Sequence, residues 1–214
     1  MKNTLRTFLL VLFGCFFITA CAFTEPLPCP ISQESMANPD PDFVAYTIQN
    51  NACVTFCNIN IAPSRCDDWG FDWIHNDALR TGESITAYLP AGKYDVLLED
   101  CTDLSYTFER QKGNGENALI VSEADAKKDD TCQASLTVVN NTDVPICHMW
   151  IAAEYSERYG GNWLGNNDQI APGESSQFFV FPGDYKIKAE DCEFNILRRE
   201  LDTKIGDHRT WIVE

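Results

Sequence analysis

An internal repeat constrains the fold of this 214-residue chain more than any other feature of its sequence. Asn50-Asn51 stands seven residues before Cys57, and Asn140-Asn141 stands seven residues before Cys147. Further matched pairs, in chain order, are Trp73 with Trp163, Gly82 with Gly173, Tyr94 with Tyr185, and Glu99-Asp100-Cys101 with Glu190-Asp191-Cys192. So many coincidences in one frame indicate the duplication of a unit of about eighty residues.

The apolar pattern inside each copy predicts β-strands. Val44, Tyr46 and Ile48 alternate with smaller or polar residues, and the same alternation runs through residues 147–151 of the second copy. A period of two buries one face of a strand. Turn signals such as Asn-Asn and Pro-Gly separate these runs, and no long stretch has a helical period. The predicted fold class is therefore all-β, with two tandem antiparallel β-sandwiches, immunoglobulin-like or jelly-roll-like.

The first twenty-one residues have the form of an export signal. Lys2 and Arg6 precede an apolar segment of about eleven residues, shorter than the roughly twenty that span a bilayer. This segment ends in Ile18-Thr19-Ala20-Cys21, which resembles the lipobox of bacterial lipoproteins. The resemblance implies that Cys21 is acylated and that the membrane is a partner through this lipid anchor. Ala22 in place of aspartate then implies an outer-membrane or cell-surface address. An ordinary cleaved signal peptide is the alternative.

A proline-rich segment follows the signal. Residues 22–42 contain five of the ten prolines, and such segments stay extended at about 3 Å per residue. We therefore predict a tether between the lipid and the folded part. The predicted divisions are a signal peptide at 1–20, the lipidated cysteine and tether at 21–42, a first β-sandwich at 43–122, a linker at 123–133 and a second β-sandwich at 134–214.

The charge balance excludes one class of partner. The chain has 16 basic and 32 acidic residues, giving a formal net charge of −16. Proteins that grip phosphate backbones carry basic patches instead. We expect no nucleic-acid partner, whereas an acidic surface can recruit divalent cations or basic proteins through its long-range field.

Ten cysteines in a short chain are typical of an oxidising compartment. Because Cys15 lies in the signal and Cys21 is assigned to lipid, eight remain for disulfides. The register of the repeat pairs Cys57 with Cys101 and Cys147 with Cys192, and each bridge is worth about 4 kcal/mol in the chain-entropy model. The other predicted pairs are Cys53 with Cys66, which flank one strand, and Cys29 with Cys132, which lie upstream of their units. No cysteine or histidine cluster has structural-zinc spacing, so we expect no metal or cofactor.

One loop of the first copy contains candidate ligand-binding residues. It places carboxylates beside aromatic rings, as many sugar-binding and calcium-binding loops do. The candidates are Asp67, Asp68, Trp69, Asp72 and Asp77. In the second copy Tyr159 to Trp163 replace Trp69 to Trp73, and Asn162 replaces Asp72. The aromatic ring, the glycine and the second tryptophan persist and the carboxylate does not, which favours a structural role in which the tryptophans fill the core and Asp72 and Asn162 shape a turn. The spacing does not follow an EF-hand loop.

No reactive constellation is duplicated. His75, His148 and His208 occupy non-equivalent positions, and no G-x-S-x-G motif is present. The Glu-Asp-Cys triplets end strands beside predicted disulfides, where a solvated strand end explains them. We expect no enzymatic activity. The alternative is an extracytoplasmic hydrolase with a site between the repeats, drawing on the aspartates and histidines.

The duplicated motifs together resemble a small β-sandwich module of secreted and lipid-anchored bacterial proteins. They are the Asn-Asn turn, the strand cysteine, the aromatic-Gly-x-Asp/Asn-Trp turn, Pro-Gly-x-Tyr and Glu-Asp-Cys. The resemblance covers both copies and implies a fold, not an activity. Our leading hypothesis is a non-catalytic, lipid-anchored cell-envelope protein that is structural, adhesive or ligand-binding, with an envelope protein or a glycan as partner. The alternative is a carbohydrate- or calcium-binding surface lipoprotein that uses the Trp69–Asp77 loop.

Overall fold

The computed structural model describes residues 29, 31, 42–115, 118–122 and 134–214. The predicted signal peptide, Cys21, Cys132 and the rest of the predicted tether and linker lie outside these residues. No helix occurs among the described residues, so none there is long and apolar enough to cross a membrane.

Twelve β-strands make up the described part of the chain, and they confirm the all-β prediction. The first six are β1 (Phe43–Asn50), β2 (Phe56–Pro63), β3 (Ser84–Pro90), β4 (Gly92–Asp100), β5 (Ser105–Gly113) and β6 (Ala118–Val121). The second six are β7 (Ala134–Asn140), β8 (His148–Ala153), β9 (Ser175–Val180), β10 (Gly183–Glu190), β11 (Ile196–Ile205) and β12 (His208–Val213). Strands β1–β6 fall inside the predicted first unit and β7–β12 inside the second.

Both halves of the chain use one strand order. The first half has the sheets β3-β1-β6 and β2-β4-β5, and the second has β9-β7-β12 and β8-β10-β11. Neighbouring strands run antiparallel except at β1–β6 and β7–β12, which pair in parallel. The fully antiparallel sheets expected from the sequence are thus wrong at the pairing of the first strand of each half with its last. Apolar alternation cannot reveal this, because both pairing directions give a period of two.

Each half has its own hydrophobic core between its two sheets. In the first half, Ile48 of β1 and Val96 of β4 belong to one cluster and have no exposed surface. Val138 of β7 and Ile187 of β10 hold the corresponding places in the second cluster. Fully burying one such side chain stabilises a fold by about 1.5–3 kcal/mol. The period-two pattern therefore identifies the faces that meet.

The duplicated asparagines anchor the loop that follows the first strand of each half. Asn50 is fully buried and donates from Nδ2 to the carbonyl oxygens of Val54 and Leu79, at 2.7 and 2.9 Å. Asn140 makes the same pair of bonds in the second half, both at 2.8 Å. A buried amide must be paired to avoid a desolvation penalty. These bonds explain why both copies have asparagine here.

Two predicted disulfides are confirmed. Cys57 is bonded to Cys101 and Cys147 to Cys192, with Cα atoms 4.9 Å apart in both pairs. Each bridge links the beginning of the second strand of its half to the end of the fourth. The module is therefore small, all-β and disulfide-stabilised, and disulfides of this kind indicate an extracytoplasmic protein.

The other predicted pairing is wrong, because Cys66 is bonded to Cys29 and not to Cys53. Cys53 precedes β2 and Cys66 follows it, and the eight residues of β2 alone span roughly 26 Å at about 3.3 Å per residue. A disulfide needs Cα atoms closer than about 7 Å. The predicted bond between Cys29 and Cys132 is wrong for the same reason, because Cys29 is already bonded to Cys66. Cys53 is buried and disulfide-bonded.

The predicted tether is held against the first half before it ends. Cys29 is fixed by its bond to Cys66, and Ile31 is 5% exposed within the first core. The expectation of a free spacer over 21–42 is therefore wrong at these two positions. The segment between the predicted acylation site and the first attachment is only 22–28.

Candidate functional site

The side chains at the duplicated Asp/Asn position shape turns. Asp72 accepts hydrogen bonds through Oδ1 from the amides of Ile59 and Ile74, at 3.0 and 3.1 Å. Its Oδ2 accepts a bond of 2.7 Å from the amide of Asn76. Asn162 does the same work in the second half, accepting the amide of Met149 at 2.8 Å. Both oxygens of Asp72 are therefore committed to backbone.

The tryptophans that follow these turns fill the cores. Trp73 is 5% exposed and Trp163 is 3% exposed. The indole of Trp163 donates from Nε1 to the carbonyl oxygen of Ile151 at 2.9 Å, which satisfies its one polar group. The structural interpretation of this motif thus agrees with the contacts that both copies make.

The remaining candidate ligand-binding residues do not converge. Asp67 is exposed, and Asp68 accepts the amide of Gly70 at 2.9 Å within its own turn. Trp69 is half-buried. Asp77 instead contacts the second half, where its Oδ2 accepts Nδ2 of Asn167 at 2.7 Å. No group of three or more His, Cys, Asp or Glu side chains that could hold a metal ion occurs among the residues that the structure describes.

The aspartates of the Glu-Asp-Cys triplets also support turns. Oδ1 of Asp100 accepts the amides of Thr102 and Leu104, at 2.8 and 3.1 Å, and Oδ2 accepts the hydroxyl of Tyr106 at 2.9 Å. Burial raises the pKa of Tyr106, and the neighbouring carboxylate of Asp100 raises it further. In the second half, hydrogen bonds from Asn195 lower the pKa of Asp191. A carboxylate held this way is a turn anchor, since its acceptor capacity is already used.

The two halves meet where two glycines of the second lie against the disulfide of the first. The amide of Gly161 donates to the carbonyl oxygen of Cys101 at 3.1 Å. A β carbon at Gly161 would lie 2.6 Å from Cβ and Sγ of Cys57, and one at Gly160 would overlap the Cys101 carbonyl. Gly160 also has φ 72°, which bulky residues avoid. Glycine is required here because the backbone of one half touches the other.

Polar contacts extend this junction. Arg80 forms a 2.9 Å ion pair with Asp168 and donates to the carbonyl oxygen of Leu164 at 3.3 Å. Nδ2 of Asn166 donates to the carbonyl oxygen of His75 at 3.3 Å. Cys101 is fully buried and belongs to the core cluster of the second half. Together these contacts fix the orientation of the two halves.

A cavity of about 190 Å³ lies between the halves. Asp100 and Leu104 of the first half and Tyr155 and Tyr185 of the second are among its walls. The oxygens of Asp100 are occupied as described, and the Tyr185 hydroxyl donates to the carbonyl oxygen of Phe181 at 2.7 Å. Small-molecule sites are usually larger, at about 300–1,000 Å³. Asp100 and Tyr185 on these walls are thus already paired.

The histidines are used separately. His75 stacks on Phe71 with ring centroids 6.1 Å apart, and Nδ1 of His148 lies 2.9 Å from the carbonyl oxygen of Asp191. Nδ1 of His208 lies 2.8 Å from Oγ of Ser135, and its Nε2 is 3.6 Å from the carboxylate of Asp207.

This contact between serine and histidine lacks the access that nucleophilic catalysis needs. Ser135 has no exposed surface, and its hydroxyl also accepts Nε2 of Gln177 at 2.9 Å. An activated serine must present Oγ to a substrate carbonyl. At Ser135 no substrate can reach that atom, so the contact with His208 joins strands.

Comparisons with known proteins add a distant structural likeness. No protein-family model and no curated protein matches the chain. The chain is similar to a solved structure described as the Bacillus anthracis TIE protein, with 15% sequence identity and a TM-score of 0.30 over 80% of this chain. It spans 34% of the length of that chain. A likeness this distant carries no information about function.

Proposed function

We propose that the chain is a non-catalytic, lipid-anchored protein of the bacterial cell envelope whose two β units bind a glycan or an envelope protein. One observation supports this proposal above all: the acidic side chains around the junction already accept hydrogen bonds from the protein. Asp72, Asp77 and Asp100 all accept hydrogen bonds from the protein itself. A general acid or base must be free to exchange a proton with a substrate.

The alternatives from the sequence are less well supported. Calcium needs six or more oxygen ligands, and three of the roughly four acceptor sites of Asp72 are already used by backbone amides. A hydrolase between the repeats would need a free acid and a free base at the junction, where Asp77 and Asp100 already accept hydrogen bonds from the protein. A binding role needs neither, because a fixed pair of modules can present loops and sheet faces.

The lipid anchor is tested by acylation of the full-length chain in a Gram-negative host. A clickable palmitate analogue is expected to label the protein, and Cys21→Ser is expected to abolish the label. Globomycin, which blocks lipoprotein signal peptidase, should cause the precursor to accumulate. Equal labelling of Cys21→Ser would contradict the anchor, and recovery of the labelled protein in the inner membrane would contradict the proposed address.

The binding role is tested with oxidised mature protein. Immobilised residues 22–214 are expected to retain glycans or purified envelope components, with unchanged recovery of the bound material. Turnover of a bound glycan or peptide, abolished by Ser135→Ala or Asp72→Asn in a folded variant, would favour the hydrolase instead.

A further inference from the structure

A cluster of aromatic rings covers part of the outer face of the sheet β8-β10-β11. The rings of His148 and Phe194 have centroids 4.1 Å apart with an angle of 18° between their planes. The ring of Trp150 lies 6.3 Å from that of His148 at an angle of 16°. The three rings are therefore nearly parallel. Phe194 is 64% exposed.

The first half provides an internal control for this cluster. In the register that matches Cys57 with Cys147, the residues equivalent to His148 and Trp150 are Asn58 and Asn60. In the register that matches Cys101 with Cys192, the residue equivalent to Phe194 is Asp103. The first half has the same strand order without any of these rings. The fold therefore does not require them.

The turn at Phe194 imposes a conformational cost on this phenylalanine. The equivalent turn of the first half does not impose that cost on Asp103. Both residues have positive φ, 64° at Phe194 and 68° at Asp103. Aspartate tolerates this region, whereas for a bulky residue it is an outlier costly to maintain. An exposed phenylalanine at such a position gains little from burial. A cost of this kind at an exposed ring favours a role in binding.

Two of the three rings, Trp150 and His148, are held in place by hydrogen bonds at their edges. The indole of Trp150 donates from Nε1 to Oε2 of Glu190 at 2.7 Å. Lys188 pairs with the other oxygen of Glu190 at 2.6 Å and lies 5.0 Å from the centre of the Trp150 ring. His148 is fixed by the carbonyl oxygen of Asp191 at 2.9 Å. Rings that are ordered before binding lose less conformational entropy when a ligand arrives.

These rings form one wall of a groove of about 300 Å³, the aromatic groove, which also reaches the first half. Its other walls include the amide side chains of Asn76 and Asn166, and Asp77. The groove thus combines flat apolar surfaces with uncharged hydrogen-bonding groups. Asp77 is engaged by Asn167, and Lys188 is neutralised by Glu190. An amide does not neutralise the charge of Asp77, and no Lys or Arg of the described residues lines the groove, so an anionic ligand would meet a carboxylate and no pairing cation there.

We propose that the aromatic groove binds a neutral pyranose unit of a glycan. A pyranose ring presents an apolar C–H face, which stacks on aromatic rings, and a rim of hydroxyls, which amides can bind. The net charge of −16 disfavours uronic or sialic acids. This proposal deepens the proposed function and depends on it, since both describe a binding protein.

Exchange of residues between the two repeats gives variants that should fold. Phe194→Asp, Trp150→Asn and His148→Asn each install the residue that the first half already has at the equivalent position. Leu104→Asn is the matched control, because Leu104 is 58% exposed and Asn195 is its equivalent. Thermal unfolding of each variant checks that the fold is intact.

The test is a glycan array with oxidised mature protein, followed by calorimetry with the neutral saccharide that binds best. Phe194→Asp and Trp150→Asn are expected to weaken binding at least tenfold, and Leu104→Asn to leave it unchanged. Failure to bind any neutral saccharide at millimolar concentration, or full affinity in both ring variants, overturns the groove. So does a change in oligomeric state with Phe194→Asp alone, which would make the rings a protein contact.

Failure of the groove and failure of the envelope proposal are distinguishable. If the palmitate analogue does not label the unmodified protein, the anchor is contradicted and saccharide binding is unaffected. A normal label without saccharide binding contradicts the groove only.

Discussion

Gly161 lies so close to Cys57 that a β carbon on the glycine would sit 2.6 Å from both Cβ and Sγ of the cysteine. Atoms at that distance overlap, so a substitution must push the halves apart or distort the disulfide.

Gly161→Ala should destabilise the protein by about 1–3 kcal/mol, the usual cost of overpacking a tight contact. Chemical denaturation with fluorescence detection measures the free energy of unfolding. Gly206→Ala is the matched control, because a β carbon there would meet no atom within 4 Å. It should change stability by less than about 0.5 kcal/mol. Equal effects of the two substitutions would contradict a close junction.

The two confirmed disulfides should differ in their resistance to reductant. Cys101 is fully buried beneath the second half, whereas its equivalent Cys192 is exposed. A thiol reagent must reach a sulfur to attack it. Timed reduction with dithiothreitol, alkylation and mass spectrometry should therefore show the Cys147–Cys192 bond opening first. Simultaneous opening in the folded protein would argue against shielding by Gly160 and Gly161.

Non-reducing peptide mapping should find Cys53 linked to Cys132. Cys53 is disulfide-bonded, and the other described cysteines are bonded among themselves. The cysteines outside the described residues are Cys15, Cys21 and Cys132. The predicted signal removes the first and the predicted acylation uses the second. A map in which Cys53 is linked to any other residue contradicts this prediction.

Asp72→Ala should destabilise the first half by about 2–3 kcal/mol, since backbone amides lose a charged acceptor. Asp67→Ala is the control, because Asp67 is exposed, and its effect should be within about 0.5 kcal/mol. Millimolar calcium should not change the midpoint of thermal unfolding, because a ligand stabilises only the state that it binds. A calcium-dependent rise that Asp72→Ala abolishes would favour the calcium alternative.

Stability should fall as the pH rises above 10. Burial raises the pKa of Tyr46, Tyr94 and Tyr185 to about 12, from 10.0. The folded state thus retains protons that the unfolded state loses, and the stabilisation present below pH 10 disappears as pH approaches 12. Urea unfolding between pH 9 and 12 measures the slope. Tyr94→Phe should reduce it, and an unchanged slope in that variant would contradict the assignment.

The sequence predicted the fold class and the two equivalent disulfides because both depend on local periodicity and on the register of the repeat. Ile48 and Val96 are core residues, as the alternation indicated. The pairing of Cys53 with Cys66 failed because nearness in sequence was taken for nearness in space. The length of β2 separates the two cysteines, and the sequence already indicated that a whole strand lies between them.

The aromatic groove was missed because it depends on three segments that meet only in the folded chain. His148 and Trp150 belong to β8, Phe194 to a turn, and Asn76 to the first half. One signal was nevertheless present in the sequence. Comparison of the copies shows rings in the second where the first has Asn58, Asn60 and Asp103. Matched positions alone cannot reveal the groove, because its three rings have no aromatic counterparts in the first copy.

The glycine contact between the halves is not symmetric, because only the second half has two consecutive glycines at this place in the repeat. In the register of the repeat, Phe71 of the first half is the counterpart of Gly161 and packs on Trp73 with centroids 4.9 Å apart. A phenylalanine cannot fit where even a methyl group overlaps a disulfide. Copies of this protein therefore cannot stack into a filament by repeating their internal joint, and a module that docked on the Cys147–Cys192 bridge in the same way would need its own pair of glycines.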